Sequence, residues 1–159
     1  DIDDYWSKDI LKIQVQEIKK KIADVLFTNF KAINEDKKII YQVRSSLDLT
    51  FNILIKSCPV CCSSVLIKKK CLEKNLFKNY KTKEDYDLWL RLSKQGYKIK
   101  NLNKFLTYYT VRSSSLSSLH LNKLLNAYLI YSNSLKFTFF YSLFSVLRLY
   151  LNAFKKKYL

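Results

Sequence analysis

Glu84-Asp85-Tyr86-Asp87-Leu88-Trp89-Leu90-Arg91-Leu92 begins with an acidic cluster and continues as an amphipathic helix. A second acidic stretch, Asp1-Ile2-Asp3-Asp4-Tyr5-Trp6, opens the chain and places three carboxylates within four positions. Oxygen ligands of this kind suit a hard divalent cation, and a carboxylate in the first cluster can act as a base. Each stretch also has a simpler interpretation. The opening one can be a solvated acidic turn, and carboxylates at a helix start can serve only as caps.

Composition and charge narrow the class of protein. A chain of 159 residues with 48% hydrophobic and 15% aromatic content suits one folded domain of ordinary size. The balance of 29 Lys and Arg against 13 Asp and Glu favours polyanionic partners, which are nucleic acid, anionic lipid or phosphorylated substrates. The sequence has no helix-turn-helix pattern and no aromatic-basic signature of an RNA-binding sheet, so we do not expect a nucleic-acid partner.

Four cysteines lie close together, at positions 58, 61, 62 and 71. The Cys58-Pro59-Val60-Cys61 spacing makes a zinc site or a disulfide conceivable. The stretch from Cys61 to Ile67 instead has the pattern of a buried strand, in which Cys is a small hydrophobic residue. We therefore expect reduced, cytosolic thiols.

The ends of the chain give two further expectations. The sequence contains no Met and begins inside the first acidic motif, so we expect a preceding N-terminal part. It has no signal peptide, and its longest apolar stretch, from Phe137 to Leu147, is too short to span a bilayer.

The periodicity of apolar residues predicts the elements between these motifs. Ser7 is expected to cap a helix whose apolar stripe is Leu11, Val15, Ile18, Ile22, Val25 and Leu26. A helix is predicted over Glu84–Lys94, with Gly96 as its C-terminal cap, and Asn75 is expected to end a shorter helix in a left-handed conformation. The predicted strands are 25–30, 39–43, 63–68, 97–99 and 105–111.

The last forty residues have a helical pattern of their own. One predicted stripe is apolar and is formed by Phe140, Leu143, Phe144, Leu147, Leu151 and Phe154. The opposite side carries Ser142, Ser145, Arg148, Asn152 and Lys156, and three lysines follow at 155–157. This pattern fits a helix lying on an anionic membrane surface, or equally a helix packed on the preceding domain or on another subunit.

Four motifs in order resemble the large inverting glycosyltransferase family 2. Asp1 to Trp6 resembles the family's D-x-D-D-x-W, and Ser63 to Lys68 resembles the strand before its acceptor site. Glu84 to Leu92 is a close match to E-D-x-D-L-W-x-R-L. Leu106, Tyr109 and Ser115-Leu116-Ser117 resemble the closing L-x-x-Y-R-x-H-x-x-S-x-S, although Thr110 and Arg112 stand where Arg and His are usual.

The resemblance implies an α/β fold of the GT-A (nucleotide-diphospho-sugar transferase, Rossmann-like) type. Residues 1–118 would form the C-terminal part of that domain, without its N-terminal nucleotide-binding half, and 119–159 an amphipathic helical extension. It implies Mg²⁺ or Mn²⁺ held by Asp1, Asp3 and Asp4. Asp1, Asp3 and Arg112 would contact the nucleotide-sugar donor. Asp85 would be the catalytic base with Glu84 orienting it, while Asp87 is expected to be structural.

The expected function is sugar transfer from a nucleotide-diphosphate sugar to a glycan or lipid-linked acceptor. The resemblance places such a reaction in cell-surface polysaccharide biosynthesis, such as that of lipopolysaccharide or capsule. The expected location is cytoplasmic, peripheral at the inner face of the cell membrane. Two alternatives stay open: a catalytically inactive, membrane-associated binding module, and a basic nucleic-acid-binding domain.

Overall fold

The computed structural model describes residues 2–112 and 120–158, which form a mixed α/β fold around one six-stranded sheet. The strand order is β1-β6-β2-β3, with β4 paired to β6 and β5 paired to β2. Only the β2–β6 pair is parallel; the other pairs of this sheet are antiparallel. The strands are β1 Tyr5–Trp6, β2 Val25–Ile33, β3 Ile39–Val43, β4 Asp48–Leu49, β5 Leu66–Ile67 and β6 Ile99–Thr110.

The parallel pair β2 and β6 forms the centre of the sheet. The predicted strand 25–30 is confirmed and extends to Ile33. The two short strands predicted at 97–99 and 105–111 are one strand, β6, interrupted by Asn103 at φ +52°. The Asn103 amide donates to Asn101 Oδ1 at 2.9 Å, and Asn29 donates to Asn103 Oδ1 at 3.2 Å. These bonds satisfy the irregular backbone, which is why the polar run Asn101–Lys104 does not end the strand.

The described residues also form six α-helices. They are α1 Ile10–Lys19, α2 Phe51–Leu54, α3 Lys69–Leu72, α4 Glu84–Lys94, α5 His120–Leu129 and α6 Phe139–Tyr158. A 3₁₀ turn covers Cys62–Ser64, and a π-helical turn over Ile130–Ser134 follows α5.

The predicted apolar stripe of α1 was wrong. The helix begins after Asp9, not Ser7, and it buries Ile10 and Gln14. Leu11 and Val15 are exposed instead. The cause is a tertiary hydrogen bond: Gln14 Nε2 donates to the carbonyl of Ser64 at 2.8 Å and turns its side of the helix inward.

Two predictions in the middle of the chain also need correction. The strand expected over 63–68 is limited to Leu66–Ile67, because Cys62–Ser64 forms the 3₁₀ turn. Asn75 is not in a left-handed conformation. Its side chain is buried and bonds Gln95 and Arg91, so it connects the segment after α3 to α4.

Helix α4 has the predicted bounds, and Gly96 adopts the predicted left-handed conformation at φ +85°. Its buried residues Tyr86, Leu88, Trp89, Leu90 and Leu92 belong to the main hydrophobic core. Asp87 is fully buried and pairs with Arg91 Nε at 2.7 Å. This environment agrees with the expectation that Asp87 is structural.

The C-terminal helices contribute to the same core as the sheet. The hydroxyl of Tyr131, in the π-helical turn, lies 2.8 Å from that of Tyr86 and donates to the carbonyl of Ile55 at 2.9 Å. Asn152 of α6 donates to the carbonyl of Lys56 at 2.9 Å. The domain boundary expected at 118/119 falls outside the described residues. No helix in the described part is long and apolar enough to cross a membrane.

Candidate active site

The opening acidic motif lies against the end of the longest strand. Strand β1 pairs antiparallel with β6, aligning Tyr5 with Tyr108 and Trp6 with Thr107. The preceding residues therefore meet Thr110, the last residue of β6. The Thr110 amide donates to Asp4 Oδ1 at 2.9 Å, and its hydroxyl donates to the Asp3 carbonyl at 2.5 Å. The motifs that open and close the predicted catalytic segment are thus in direct contact.

Asp4 is held from two sides. Its second carboxylate oxygen accepts a hydrogen bond from the hydroxyl of Ser63. The carbonyl of Ser63 in turn accepts from Trp6 Nε1 at 2.7 Å. Both carboxylate oxygens of Asp4 thus have protein partners, which favours a role in positioning the motif. The sequence analysis did not identify Ser63 or Trp6 in this role, because no spacing rule connects positions 6 and 63.

Asp3 has a different environment, in contact with the predicted donor-binding arginine. Arg112 Nε lies 2.8 Å from Asp3 Oδ2, and the guanidinium remains half-exposed. The structure therefore brings Asp3 and Arg112 together at the end of β6. Asp1, and the Ser115–Ser117 part of the closing motif, lie outside the described residues.

The fit of a divalent cation at this motif depends on Asp3. Carboxylates are suitable ligands for Mg²⁺ or Mn²⁺, but Asp4 is engaged by Thr110 and Ser63. Within residues 2–112 and 120–158, no three His, Cys, Asp or Glu side chains are grouped to hold a metal ion. Asp3 is accordingly the described residue best suited to contact a cation. None of the four cysteines is joined in a disulfide.

The second acidic motif occupies the first turn of α4. Asp85 is half-buried, and its Oδ1 accepts the amide of Tyr86 at 2.7 Å. Burial raises the pKa of Asp85, and the neighbouring charge of Glu84 adds to the increase, against the effects of the Tyr86 amide and of Lys83. A carboxylate with a raised pKa is a stronger base. The catalytic roles of Asp85 and Glu84 stay predictions, and the raised pKa of Asp85 is compatible with the role of base.

Lys83 links this motif to the C-terminal helix. It precedes α4 in a left-handed conformation, at φ +66°, which is uncommon for a residue other than Gly. Its ammonium lies 5.8 Å from the centre of the Tyr86 ring and 5.4 Å from that of Tyr150 in α6. Burial lowers the pKa of this ammonium. No sequence pattern predicts this position of Lys83, because the contact with Tyr150 depends on how α6 packs.

The first acidic motif contacts the 3₁₀ turn at Cys62–Ser64, because Ser63 donates to Asp4. Burial raises the pKa of the Cys61 thiol to about 12, and the charges of Asp4 and, more weakly, Asp85 contribute. Desolvation, then Asp85 and Glu84, and then Asp4 raise the pKa of the neighbouring Cys62 thiol. Carboxylates of both motifs therefore contribute to the raised pKa of these two thiols, of which Cys61 is buried and Cys62 is exposed.

Comparison with known proteins gives the class. No family model matches the chain. It is 30% identical over 118 residues to the UDP-Glc:alpha-D-GlcNAc-diphosphoundecaprenol beta-1,3-glucosyltransferase WfaP of Escherichia coli, covering 74% of this chain and 46% of WfaP. The chain is thus homologous to part of a glycosyltransferase, and its mixed α/β sheet fits the Rossmann-like fold of such enzymes.

Two further relatives agree with this class. The chain is 28% identical to the putative teichuronic acid biosynthesis glycosyltransferase TuaG of Bacillus subtilis, covering 74% of this chain and 47% of TuaG. It is 29% identical to WfgD of Escherichia coli, which has the same enzyme name as WfaP, covering 74% of this chain and 46% of WfgD. The chain spans about half the length of these curated relatives. All three relatives are named as glycosyltransferases or glucosyltransferases, and TuaG is named for teichuronic acid biosynthesis.

Proposed function

We propose that this chain is the acceptor-side part of an inverting family 2 glycosyltransferase with the GT-A fold. It would transfer a sugar from a nucleotide-diphosphate sugar to a glycan or lipid-linked acceptor. The observation that carries this proposal is the contact of the first acidic motif with the closing motif, through Asp3 with Arg112 and Asp4 with Thr110, and with the 3₁₀ turn at Cys62–Ser64. Asp4 bonds Ser63 of that turn, and both Asp4 and Asp85 raise the pKa of Cys61 beside it.

Asp85 is the base in this proposal. An acceptor hydroxyl loses its proton to the Asp85 carboxylate as its oxygen bonds to the anomeric carbon of the donor. The bond from that carbon to the diphosphate breaks on the opposite face, so the configuration inverts. The raised pKa of Asp85 supports its role as proton acceptor, and Glu84 beside it orients the acceptor.

Asp3 and Arg112 serve the leaving group. Mg²⁺ or Mn²⁺, when bound, would neutralise charge on the departing diphosphate; Asp3 is the first ligand we assign, with Asp1 and Asp4 assisting. Arg112 is half-exposed and can donate hydrogen bonds directly to phosphate oxygens. Because Arg112 pairs with Asp3, it also holds that carboxylate in place before donor binds.

The relatives' names suggest which substrates to test first. Two of the relatives are named for a UDP-glucose donor and an acceptor of N-acetylglucosamine on diphosphoundecaprenol. We infer a nucleotide-sugar donor and a lipid-linked acceptor of this general chemistry. Free thiols and a nucleotide-sugar donor are consistent with a cytoplasmic reaction.

The test measures metal-dependent release of nucleoside diphosphate from UDP-glucose and a panel of other nucleotide sugars. It uses the 159-residue chain and, in parallel, the complete product of its gene, with Mn²⁺, Mg²⁺ or a chelator. Asp85→Asn and Asp3→Asn should each lower turnover by about a hundredfold or more, since each removes a group used in the transition state. Binding of UDP with Mn²⁺ should weaken in Asp3→Asn and be unchanged in Asp85→Asn.

Asp36→Asn is the matched control, since Asp36 lies exposed in the turn between β2 and β3. It should leave turnover unchanged. Turnover that survives Asp85→Asn would exclude Asp85 as the base. A folded protein that neither binds UDP with Mn²⁺ nor turns over any donor would favour the inactive binding module.

A further inference from the structure

The outer face of α6 is an apolar surface that is largely exposed to solvent. We define this outer face as Phe140, Leu143, Phe144, Leu147, Leu151 and Phe154. All six are exposed, from 55% for Leu143 to 81% for Phe140. A helix of twenty residues is about 30 Å long, so the surface is extended. Contiguous apolar patches of this kind are uncommon on proteins that work alone in water.

Contacts on the opposite side fix this orientation. Ser142 and Ser145 are fully buried, and Val146 and Leu149 belong to the main core. Asn152 bonds the carbonyl of Lys56, and Tyr150 lies over Lys83. Helix α6 therefore packs through Ser142, Ser145, Val146 and Leu149, and its exposed phenylalanines point away from the protein. Turning the outer face inward would break all of these contacts.

A shallow groove widens the outer face toward α5. It has a volume of about 460 Å³ and is lined almost wholly by apolar side chains, among them Leu124 of α5 and Phe144 and Leu147 of α6. On α5 itself Leu121 and Leu125 are also exposed, at 69% and 52%. The two helices thus present one apolar surface, broader than a single stripe.

The charged residues of α5 and α6 are all basic. The sequence contains no Asp or Glu after Asp87, so both helices lack acidic residues. Arg148 lies over the Phe144 ring at 5.6 Å, with its Nε and Nη2 atoms buried. Exposed Lys136 precedes α6, exposed Lys155 lies near its end, and two more lysines follow in the sequence. An apolar surface on two helices whose charged residues are all basic matches the boundary between acyl chains and anionic headgroups.

We propose that the outer face of α6, with the adjoining groove on α5, binds the surface of an anionic lipid membrane, with the helix axis in the membrane plane. A second copy of this chain is a weaker candidate, because it would bring two cationic surfaces together. Length and composition also agree, since no described helix can cross a membrane. The proposal concerns binding and stands independently of the transferase activity.

The proposed membrane-binding surface lies close to the acidic motif at the start of α4. Tyr150 lines the groove and contacts Lys83, and Lys83 immediately precedes Glu84 and Asp85. Asn126 of α5 donates to the Thr82 hydroxyl at 3.0 Å. Docking through α5 and α6 would therefore hold the first turn of α4 close to the lipid surface.

The experiment is flotation of the 159-residue chain with two kinds of vesicle, phosphatidylcholine alone and phosphatidylcholine with phosphatidylglycerol. We expect binding to the anionic vesicles that weakens with salt, and little binding to the neutral ones. Phe140→Ser with Leu143→Ser should lower the partition coefficient by about tenfold or more. Both side chains are exposed, so circular dichroism and unfolding should match the unchanged protein.

Leu76→Ser with Phe77→Ser is the matched control, because it removes one exposed Leu and one exposed Phe far from α6 in sequence. This control should bind as the unchanged protein does. Equal binding by both double variants, or no binding to anionic vesicles, would overturn the proposal. Self-association that Phe140→Ser with Leu143→Ser abolishes, without vesicle binding, would assign the surface to a second copy.

Discussion

Helices α4 and α6 are both amphipathic, yet they use their apolar sides in opposite ways. Helix α4 buries Tyr86, Leu88, Trp89, Leu90 and Leu92 and supports the acidic motif from within the core. Helix α6 buries serines and leaves phenylalanines and leucines exposed. The difference shows that an apolar pattern identifies one side of a helix but not what that side contacts. Whether it is buried depends on the surfaces of the neighbouring elements.

The largest expected effect that tests this comparison comes from replacing one leucine by alanine in each helix. Leu90→Ala in α4 should lower the free energy of unfolding by about 2–5 kcal/mol, because Leu90 is completely buried and its loss leaves a cavity. Leu147→Ala in α6 should change it by less than about 0.5 kcal/mol, since Leu147 is 59% exposed. Urea unfolding followed by circular dichroism measures both. Comparable losses would mean that the outer face of α6 is packed.

A smaller effect is expected when a small, buried residue of α6 is replaced by a large apolar one. Ser142→Leu introduces a large apolar side chain where α6 meets the core, and Ser142 is fully buried. Overpacking there should cost about 1–3 kcal/mol of unfolding free energy. Leu143→Ser, one position later, should cost less than about 0.5 kcal/mol. Thermal unfolding of the two variants provides the test, and a more stable Ser142→Leu would show that the inner face is loosely packed.

The smallest expected effect is the pH dependence that separates a functional carboxylate from a structural one. Burial raises the folded pKa of Asp85 above its ordinary value of 3.8, so ionising Asp85 costs stability as pH rises through that value. Asp85→Asn removes this cost and should stabilise the protein at pH 7 more than at pH 4. Paired urea unfolding at the two pH values measures the difference.

Asp24 provides the control with the opposite sign. Burial acts to raise its pKa, but hydrogen bonds from Lys70, the Lys98 amide and Lys68 together lower it below 3.8. The stability that Asp24 contributes is present above that value and is lost as pH falls through the folded pKa. Asp24→Asn should therefore destabilise more at pH 7 than at low pH. The same sign for both variants would contradict the assigned environments.

The sequence predicted local features well and long-range partners poorly. Helix α4 has the predicted bounds because its apolar period, acidic first turn and Gly96 all indicate the same element. The α1 stripe was wrong because Gln14 found a partner on the turn at Ser64. That partner lies fifty positions away, and periodicity carries no information about it.

The same limit applies to the candidate site. Asp3, Asp85 and Arg112 were identified from the resemblance, and the structure brings Asp3 and Arg112 together. The roles of Ser63 and Thr110 on Asp4 were missed, since these are hydrogen bonds between distant segments. The tail pattern was read correctly as amphipathic, with both packing and membrane binding left open. The structure shows which side of α6 packs on the protein. The outer face is exposed, and we propose that it binds an anionic lipid membrane.

The way Asp4 is held also affects when the site can form. Its hydrogen-bond partners Ser63 and Thr110 lie 59 and 106 positions later in the chain. During synthesis Asp4 leaves the ribosome before Ser63 and Thr110 and must wait for most of the described sheet before both partners reach it. Contacts of such wide separation form slowly, because a long loop must close first. We therefore expect the hydrogen bonds of Asp4 to be among the later contacts of the described fold to form, although Asp4 is made before both of its partners.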